Sequence, residues 1–342
     1  MTIAPKGDVL RKATAKLAIY AAATLVAVCT YRLLMVGLRG DVASLAEISN
    51  GIISGHPLSI ANQNRLLSPY AILMISSLGM SYETAWRLFI AILVLLQSLL
   101  VAEILLRESR SGTKAIVGLV VFMFLFLLLP NRLFLSWDGI DIVVFTLFAY
   151  AVLNRFGIIF YSALFFVEIF NRESALYISA YLILDAFHLS IAPFSIKLKD
   201  KSKTLLGVTL CSLGAGYTKL IREALFVQPT SKGTDEAHRA LGNHTEYLLF
   251  NLQSLFLPNL TDTSWIFSVI VFGAVVFFWS KIYTFRDEEL KCFAMYLVLL
   301  LGILVFGVFS ETRILIILLP FGYLLSFRLV VQNPGGPEVR PG

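Results

Sequence analysis

Charged side chains are scarce in this sequence: 22 acidic and 28 basic residues amount to 15% of 342 positions. Soluble domains carry about 25%. So few polar groups cannot cover a soluble core of this size, which excludes an ordinary soluble protein. The 58% hydrophobic content excludes a disordered chain. Cysteine is scarcer still. Cys29, Cys211 and Cys292 lie in or beside apolar runs with no CxxC pair, which excludes a disulfide scaffold and a cysteine-based zinc site. The four histidines form no metal set, and HExxH, P-loop, GxSxG and dinucleotide fingerprints are all missing. The net charge of +6 is not gathered into a basic tract interleaved with aromatics, so nucleic acid is not an expected partner. Internal repeats and low-complexity segments are also missing.

What is present is a series of long apolar runs. Crossing the hydrocarbon core of a bilayer takes about 20 such residues. Strong spans are 17–38, 84–106, 115–130, 203–226, 263–280, 290–309 and 312–330. The first follows four positive charges (Lys6, Arg11, Lys12, Lys16) and has no small-residue cleavage site, so it reads as an uncleaved span. Between 138 and 190 lie shorter runs at 139–153, 158–170 and 175–189. They read as three short tilted helices, or as a re-entrant hairpin over 139–170 followed by one helix. The segment 67–80, with Pro69 in its first turn, suits an interfacial or re-entrant helix.

Loop charge orients these spans. With the N-terminus in the cytoplasm and 67–80 not crossing, the basic segments 1–16, 107–114, 190–202 and 281–289 all fall inside, as the positive-inside rule requires. The expected fold is therefore all-α: one polytopic domain over 1–330 with about ten transmembrane helices and both termini cytoplasmic. The expected external segments are a first loop, 39–83, carrying the interfacial helix, and a longer loop, 227–262. Residues 331–342 read as a flexible cytoplasmic tail.

Charges at membrane depth are costly and are functional candidates. Here they gather at the expected external side. Asp41 and Glu47 follow the first span; either could act as a general base on an external hydroxyl or be a solvated loop acid. Arg65 suits a lipid-linked phosphate held bidentately, or an ordinary headgroup. Asp138 and Asp141 open the helix after Trp137; Asp138 suits an N-cap role, and Asp141 needs a partner such as Arg132 or Arg172. Arg172 and Glu173 suit pairing across the bundle. Lys219 and Arg222 sit at the outer end of a span. Glu311 and Arg313 open the last span, where a helix dipole favours the acid and leaves the arginine in need of an anion. Glu168 and Asp185 are the exceptions, lying within apolar runs.

The order of these features resembles the GT-C superfamily of integral membrane glycosyltransferases. The resemblance runs over about 30–330 and rests on RGDVASLAE after the first span, NQNRLLSPYAILM, WDGIDIVVFTLFAYAVL, NRESALYI and SETRILIILLP. It implies a polyprenyl-phosphate-linked sugar as donor, a lipid-linked glycan or cell-envelope acceptor, and an external active site in a bacterial inner (plasma) membrane. By position it assigns the catalytic base to Asp41, with Glu47 as second choice. Arg65, Arg172 and Arg313 would hold the phosphate, with Asp138, Asp141, Glu173, Lys219, Arg222 and Glu311 also lining the substrate site. A divalent cation, Mg²⁺ or Mn²⁺, would suit carboxylates beside a phosphate; its ligands stay unassigned. Two other classes fit less of the pattern: a transporter or flippase of lipid-linked saccharide, favoured by Glu168 and Asp185, and a non-catalytic partner or inhibitor in an envelope-polymer assembly.

Overall fold

The computed structural model describes residues 6–57, 62, 64–130, 133–191, 194–224, 244–257, 264–307 and 311–332. Within them the chain is helical apart from one small hairpin. The helices are α1 (Lys6–Gly37), α2 (Val42–Ile53), α3 (Leu67–Ser76), α4 (Tyr82–Ser109), α5 (Gly112–Leu128), α6 (Ser136–Leu153), α7 (Ile158–Asn171), α8 (Ala175–Asp185), α9 (Lys201–Ala224), α10 (His244–Phe256), α11 (Ser264–Lys281), α12 (Asp287–Phe306) and α13 (Leu319–Gln332). Strands β1 (Phe187–Ile191) and β2 (Phe194–Leu198) pair antiparallel between α8 and α9.

Six of these helices are long and apolar enough to cross a membrane: α1, α4, α6, α9, α11 and α12. α5, α7, α8 and α13 occupy the other expected spans but are shorter, at 17, 14, 11 and 14 residues. At about 1.5 Å per residue, the 18 residues of α6 reach about 27 Å, close to a hydrocarbon thickness of about 30 Å.

The centre of the bundle is α6. Its spanning window is 89% buried, against 28% for α1 and 17% for α9. A helix apolar on all sides is stable only when surrounded, and α4, α7, α12 and α13 surround this one. Phe148 is its hub, meeting Tyr161 of α7, Tyr181 of α8 and Phe321 of α13 edge-on at 6.1, 5.4 and 5.2 Å. The peripheral helices instead turn Val36, Leu205 and Val269 outward, as lipid-facing surfaces do. Cys29 and Cys211 are among the exposed residues and Cys292 is buried.

Short, well-capped turns set the antiparallel order. Ser81 caps α4 by accepting from Thr84 N, at 3.2 Å. Arg110, in the left-handed region at φ 51°, ends it, and Ser111 then caps α5. α8 and α9 lie very close because Gly207 has no side chain: a Cβ there would stand 2.8 Å from the Ser179 carbonyl oxygen.

Four segments differ from the sequence expectation. The first external loop contains α2, whose Val42, Leu45, Ala46, Ser49 and Ile52 form one buried face. The expected span 175–189 stops as a helix at Asp185, and the chain continues as the hairpin over 187–198. The expected last span, 312–330, is broken. Thr312–Ile317 is a 3-10 turn, and the α-helix starts only at Leu319, because Pro320 has no N–H to continue an α ladder and fits a first turn. The longer loop 227–262 contains α10, and most of its remainder lies outside the described residues, as do the tail beyond Gln332 and Arg132.

The described charges segregate to the two ends of the bundle. At the hairpin end, Lys16 pairs with Glu103 at 3.3 Å, Lys291 with Asp185 at 3.0 Å, and Arg155 with Glu288. Arg328 there donates to Leu153 O at 2.6 Å. Midway along α4 and α6 lies a neutral pair, Gln97 donating to Thr146 at 2.8 Å. At the opposite end, where α2 and α3 lie, a second charged cluster forms.

Candidate functional site

The cluster at the α2–α3 end is built by five segments meeting over the start of α6. Ser136 accepts or donates to Ser49 of α2 at 3.1 Å and to Ser68 of α3 at 2.9 Å; Ser49 also meets Tyr82 of α4 at 3.1 Å. These buried hydroxyls pin α2 and α3 across the α6 N-terminus. Leu66 N donates to Phe170 O at 3.0 Å, which ties the approach to α3 onto the end of α7.

Asp138 sits in the first turn of α6 and is fully buried. Its carboxylate accepts from Leu135 N at 2.9 Å, so it closes the helix start from inside the first turn while Leu135 holds the cap position. It also faces Arg313 at 3.3 Å and Arg172 at 3.7 Å. Asp141, one turn further and equally buried, accepts from Asn171 at 2.6 Å and from Arg172 at 2.9 Å. Asn171 also donates to Trp137 O at 3.1 Å. Glu168 lies beneath, accepting from Ser174. Glu173 accepts from Asn64 at 2.9 Å. Glu311, half-exposed, pairs with Arg313 at 3.1 Å.

Arg65 completes the group and differs from the other two guanidiniums. It is 5% exposed and lies over the Trp137 ring with its carbon 4.7 Å from the centroid. Its Nε and Nη1 are buried with no hydrogen-bond partner among the described residues. Burial, then repulsion from Arg172, pulls Arg65 down to about 9, against a smaller raising effect of Glu173. A guanidinium stays cationic at neutral pH, so the shift marks a buried cation short of counter-charge. Arg313 Nε is likewise buried without a partner among the described residues. The arrangement has capacity for a further anionic acceptor.

The sequence candidates thus divide. Arg65, Asp138, Asp141, Arg172, Glu173, Glu311 and Arg313 come together. Asp41 and Glu47 do not join them: both are exposed, at the start of α2 and on its outward face. Among the described residues neither carboxylate receives a hydrogen bond or ion pair. Asp41 remains at the same end of the bundle. It stands eight residues before Ser49, about 12 Å along the helix. Lys219 is exposed on α9, a helix seated against α8 and α7. The side chain of Arg222 lies outside the described residues. Asp185 belongs to the opposite end, paired with Lys203 and Lys291, so it and Glu168 do not form a polar track across the bundle.

Sequence reasoning did not foresee Asn64, Trp137 as a platform, Ser174, or Asn171 as a donor. The signal for Asn171 was its place directly before the Arg-Glu pair at the end of an apolar run.

Beside the cluster lies an apolar groove of ≈ 590 Å³, lined by Leu34, Leu38, Leu128, Pro130 and Phe267 among others. Its lining includes neither Asp41 nor a residue of the charged cluster, but residues next to both. Leu38 precedes Asp41 by three residues, and Asp41 N donates to its carbonyl at 2.8 Å. Leu129, between two lining residues, accepts from Thr312 at 2.6 Å, and Thr312 adjoins Arg313.

The donor set does not fit a divalent cation. Asp138 and Asp141 are each answered by guanidinium groups, and no cluster of three His, Cys, Asp or Glu suited to a metal occurs among the described residues. Compared with protein-family models, curated proteins and solved structures, the chain finds no match in any of the three.

Proposed function

We propose that the protein is a GT-C-like integral membrane glycosyltransferase, with ten spans and both termini in the cytoplasm. It would move a sugar from a polyprenyl-phosphate donor to a lipid-linked glycan or cell-envelope acceptor on the external face of a bacterial inner membrane. The observation that carries this reading is Arg65, a buried guanidinium that feels the charges of Arg172 and Arg313 and has two nitrogens without a partner among the described residues. A phosphate supplies the missing acceptors, and an arginine fork suits it geometrically. The apolar groove lined by Leu34, Leu38, Leu128 and Pro130 suits the first units of a lipid chain.

In this reading the acceptor hydroxyl loses its proton to the Asp41 carboxylate as its oxygen attacks the anomeric carbon. The bond from that carbon to the donor phosphate oxygen breaks, and its electron pair leaves with the polyprenyl phosphate. Arg65, Arg172 and Arg313 stabilise the charge developing there. Asp138 and Asp141 position two of the three arginines.

The test is sugar transfer by the full chain in vesicles supplied with a labelled polyprenyl-phosphate sugar. Asp41→Asn keeps the shape and removes the base, so transfer falls by about 10²–10⁴-fold. Glu47→Gln is the matched control and falls less. Full activity in Asp41→Asn refutes the assignment of the base.

A further inference from the structure

The hairpin between α8 and α9 lies at the end of the bundle opposite this site, and its two faces differ in kind. The register pairs Phe187 with Leu198 and Leu189 with Ile196, and sets His188 opposite Lys197. Alternation therefore places Phe187, Leu189, Ile191, Ile196 and Leu198 on one face, and His188, Ser190, Ser195 and Lys197 on the other. On β1, Leu189 and Ile191 pack against the bundle. On β2, Ile196 and Leu198 are 56% and 48% exposed. An exposed apolar edge strand invites aggregation in water; at the rim of a bilayer it meets lipid.

Charge at the same place completes the pattern. Lys197, Lys199 and Lys201 are exposed within five residues, and none has an acidic partner among the described residues. Their basic neighbours differ: Lys203 is held by Asp185, and Lys291 by Asp185 and Asp287. The nearest acid, Asp200, is engaged in accepting from Ser202 N at 3.0 Å and Lys203 N at 3.3 Å at the start of α9. His188 is directed to Asp287 at 3.4 Å. Three unanswered lysines therefore alternate with two exposed aliphatic side chains beside apolar helices. Aliphatic groups in lipid with ammonium groups reaching the headgroup layer is the arrangement of an interfacial element.

We propose that the β1–β2 hairpin is a membrane-interface element that lays Ile196 and Leu198 into the lipid and binds anionic phospholipid headgroups through Lys197, Lys199 and Lys201. It is independent of the chemistry proposed for the opposite end, requiring only that the helices span a bilayer.

Two measurements on the full chain test it. In detergent, phosphatidylglycerol and phosphatidylcholine are titrated onto the wild type and onto Lys197→Gln/Lys199→Gln/Lys201→Gln, and bound lipid is counted by native mass spectrometry. Each lysine near an anionic surface is worth about a fivefold change in affinity. The triple variant therefore loses most of its preference for phosphatidylglycerol, by about 10²-fold at full effect, with phosphatidylcholine binding unchanged. In nanodiscs containing phosphatidylglycerol, a nitroxide at Ile196→Cys, with Cys29 and Cys211 replaced by Ala, is relaxed more by oxygen than by an aqueous nickel chelate. Retained phosphatidylglycerol preference in the triple variant overturns the proposal, and so does a label at 196 that is relaxed mainly by the aqueous chelate.

Discussion

Neutralising Asp141 tests whether the buried ion pairs at the α2–α3 end hold the bundle together. Asp141 is fully buried and accepts from Asn171 and from Arg172 at 2.6 and 2.9 Å. In Asp141→Asn the new amide keeps one acceptor oxygen. Its NH₂ then faces a donor, either Asn171 Nδ2 or the Arg172 guanidinium, and the charge opposite Arg172 is gone. Removing one partner of a buried pair costs about 3–5 kcal/mol. The lower end applies, because Arg172 keeps Asp138 at 3.7 Å and is 17% exposed. About 3 kcal/mol corresponds to a fall in Tm on the order of 5 °C or more for a chain of this size. The assay is thermal unfolding of the detergent-solubilised full chain, with Arg172→Gln and the double variant completing a cycle. The two single changes should be coupled by at least about 1 kcal/mol. A Tm for Asp141→Asn within about 1 °C of wild type, or additive single effects, refutes the reasoning.

Other outcomes follow from particular contacts. Gly207→Ala puts a methyl group against the Ser179 carbonyl and must part α8 from α9, costing about 1–3 kcal/mol; the same unfolding assay reads it. With Cys29 and Cys211 replaced by Ala, Glu47→Cys should react with an impermeant thiol reagent added outside intact cells and Lys199→Cys should not; the opposite labelling inverts the proposed topology. Thr312→Val removes the hydroxyl donor to Leu129 O, made at 2.6 Å, and leaves a buried carbonyl short of a partner. It should cost about 1–3 kcal/mol and loosen Arg313, read as weaker polyprenyl-phosphate binding.

The long helices were legible because about 20 uninterrupted apolar residues have few other stable arrangements. α1, α4, α11 and α12 lie where their hydrophobic runs predict. Where reading failed, a local feature competed with hydropathy. α2, at 12 residues, is too short to register as a span, although Val42, Leu45, Ala46, Ser49 and Ile52 carry a helical period that marks it. The hairpin was hidden because Phe187–Leu198 continues the apolarity of α8, and hydropathy does not separate a strand from a helix over so few residues. Pro320 is the local signal for the break in the last span. At the site, Arg172 is one of the two partners that the sequence offers Asp141, and the structure pairs them. The remaining pairings were not readable: whether Arg313 meets Asp138 or Glu173 depends on how α6, α7 and the 3-10 turn pack, which no spacing within one segment encodes. The separation of Asp41 from the arginines has the same origin, since it follows from the unforeseen helix α2.

The central claim is that Arg65 is poised for a lipid-linked phosphate. Its most direct test is the affinity of the detergent-solubilised full chain for polyprenyl phosphate, measured for wild type, Arg65→Gln and Arg65→Lys. A charged hydrogen bond of this kind contributes about 1.5–3 kcal/mol, so Arg65→Gln should bind about 10–150-fold more weakly. Arg65→Lys should not restore the affinity, because a single ammonium lacks the planar fork. Equal affinity in all three proteins contradicts the account.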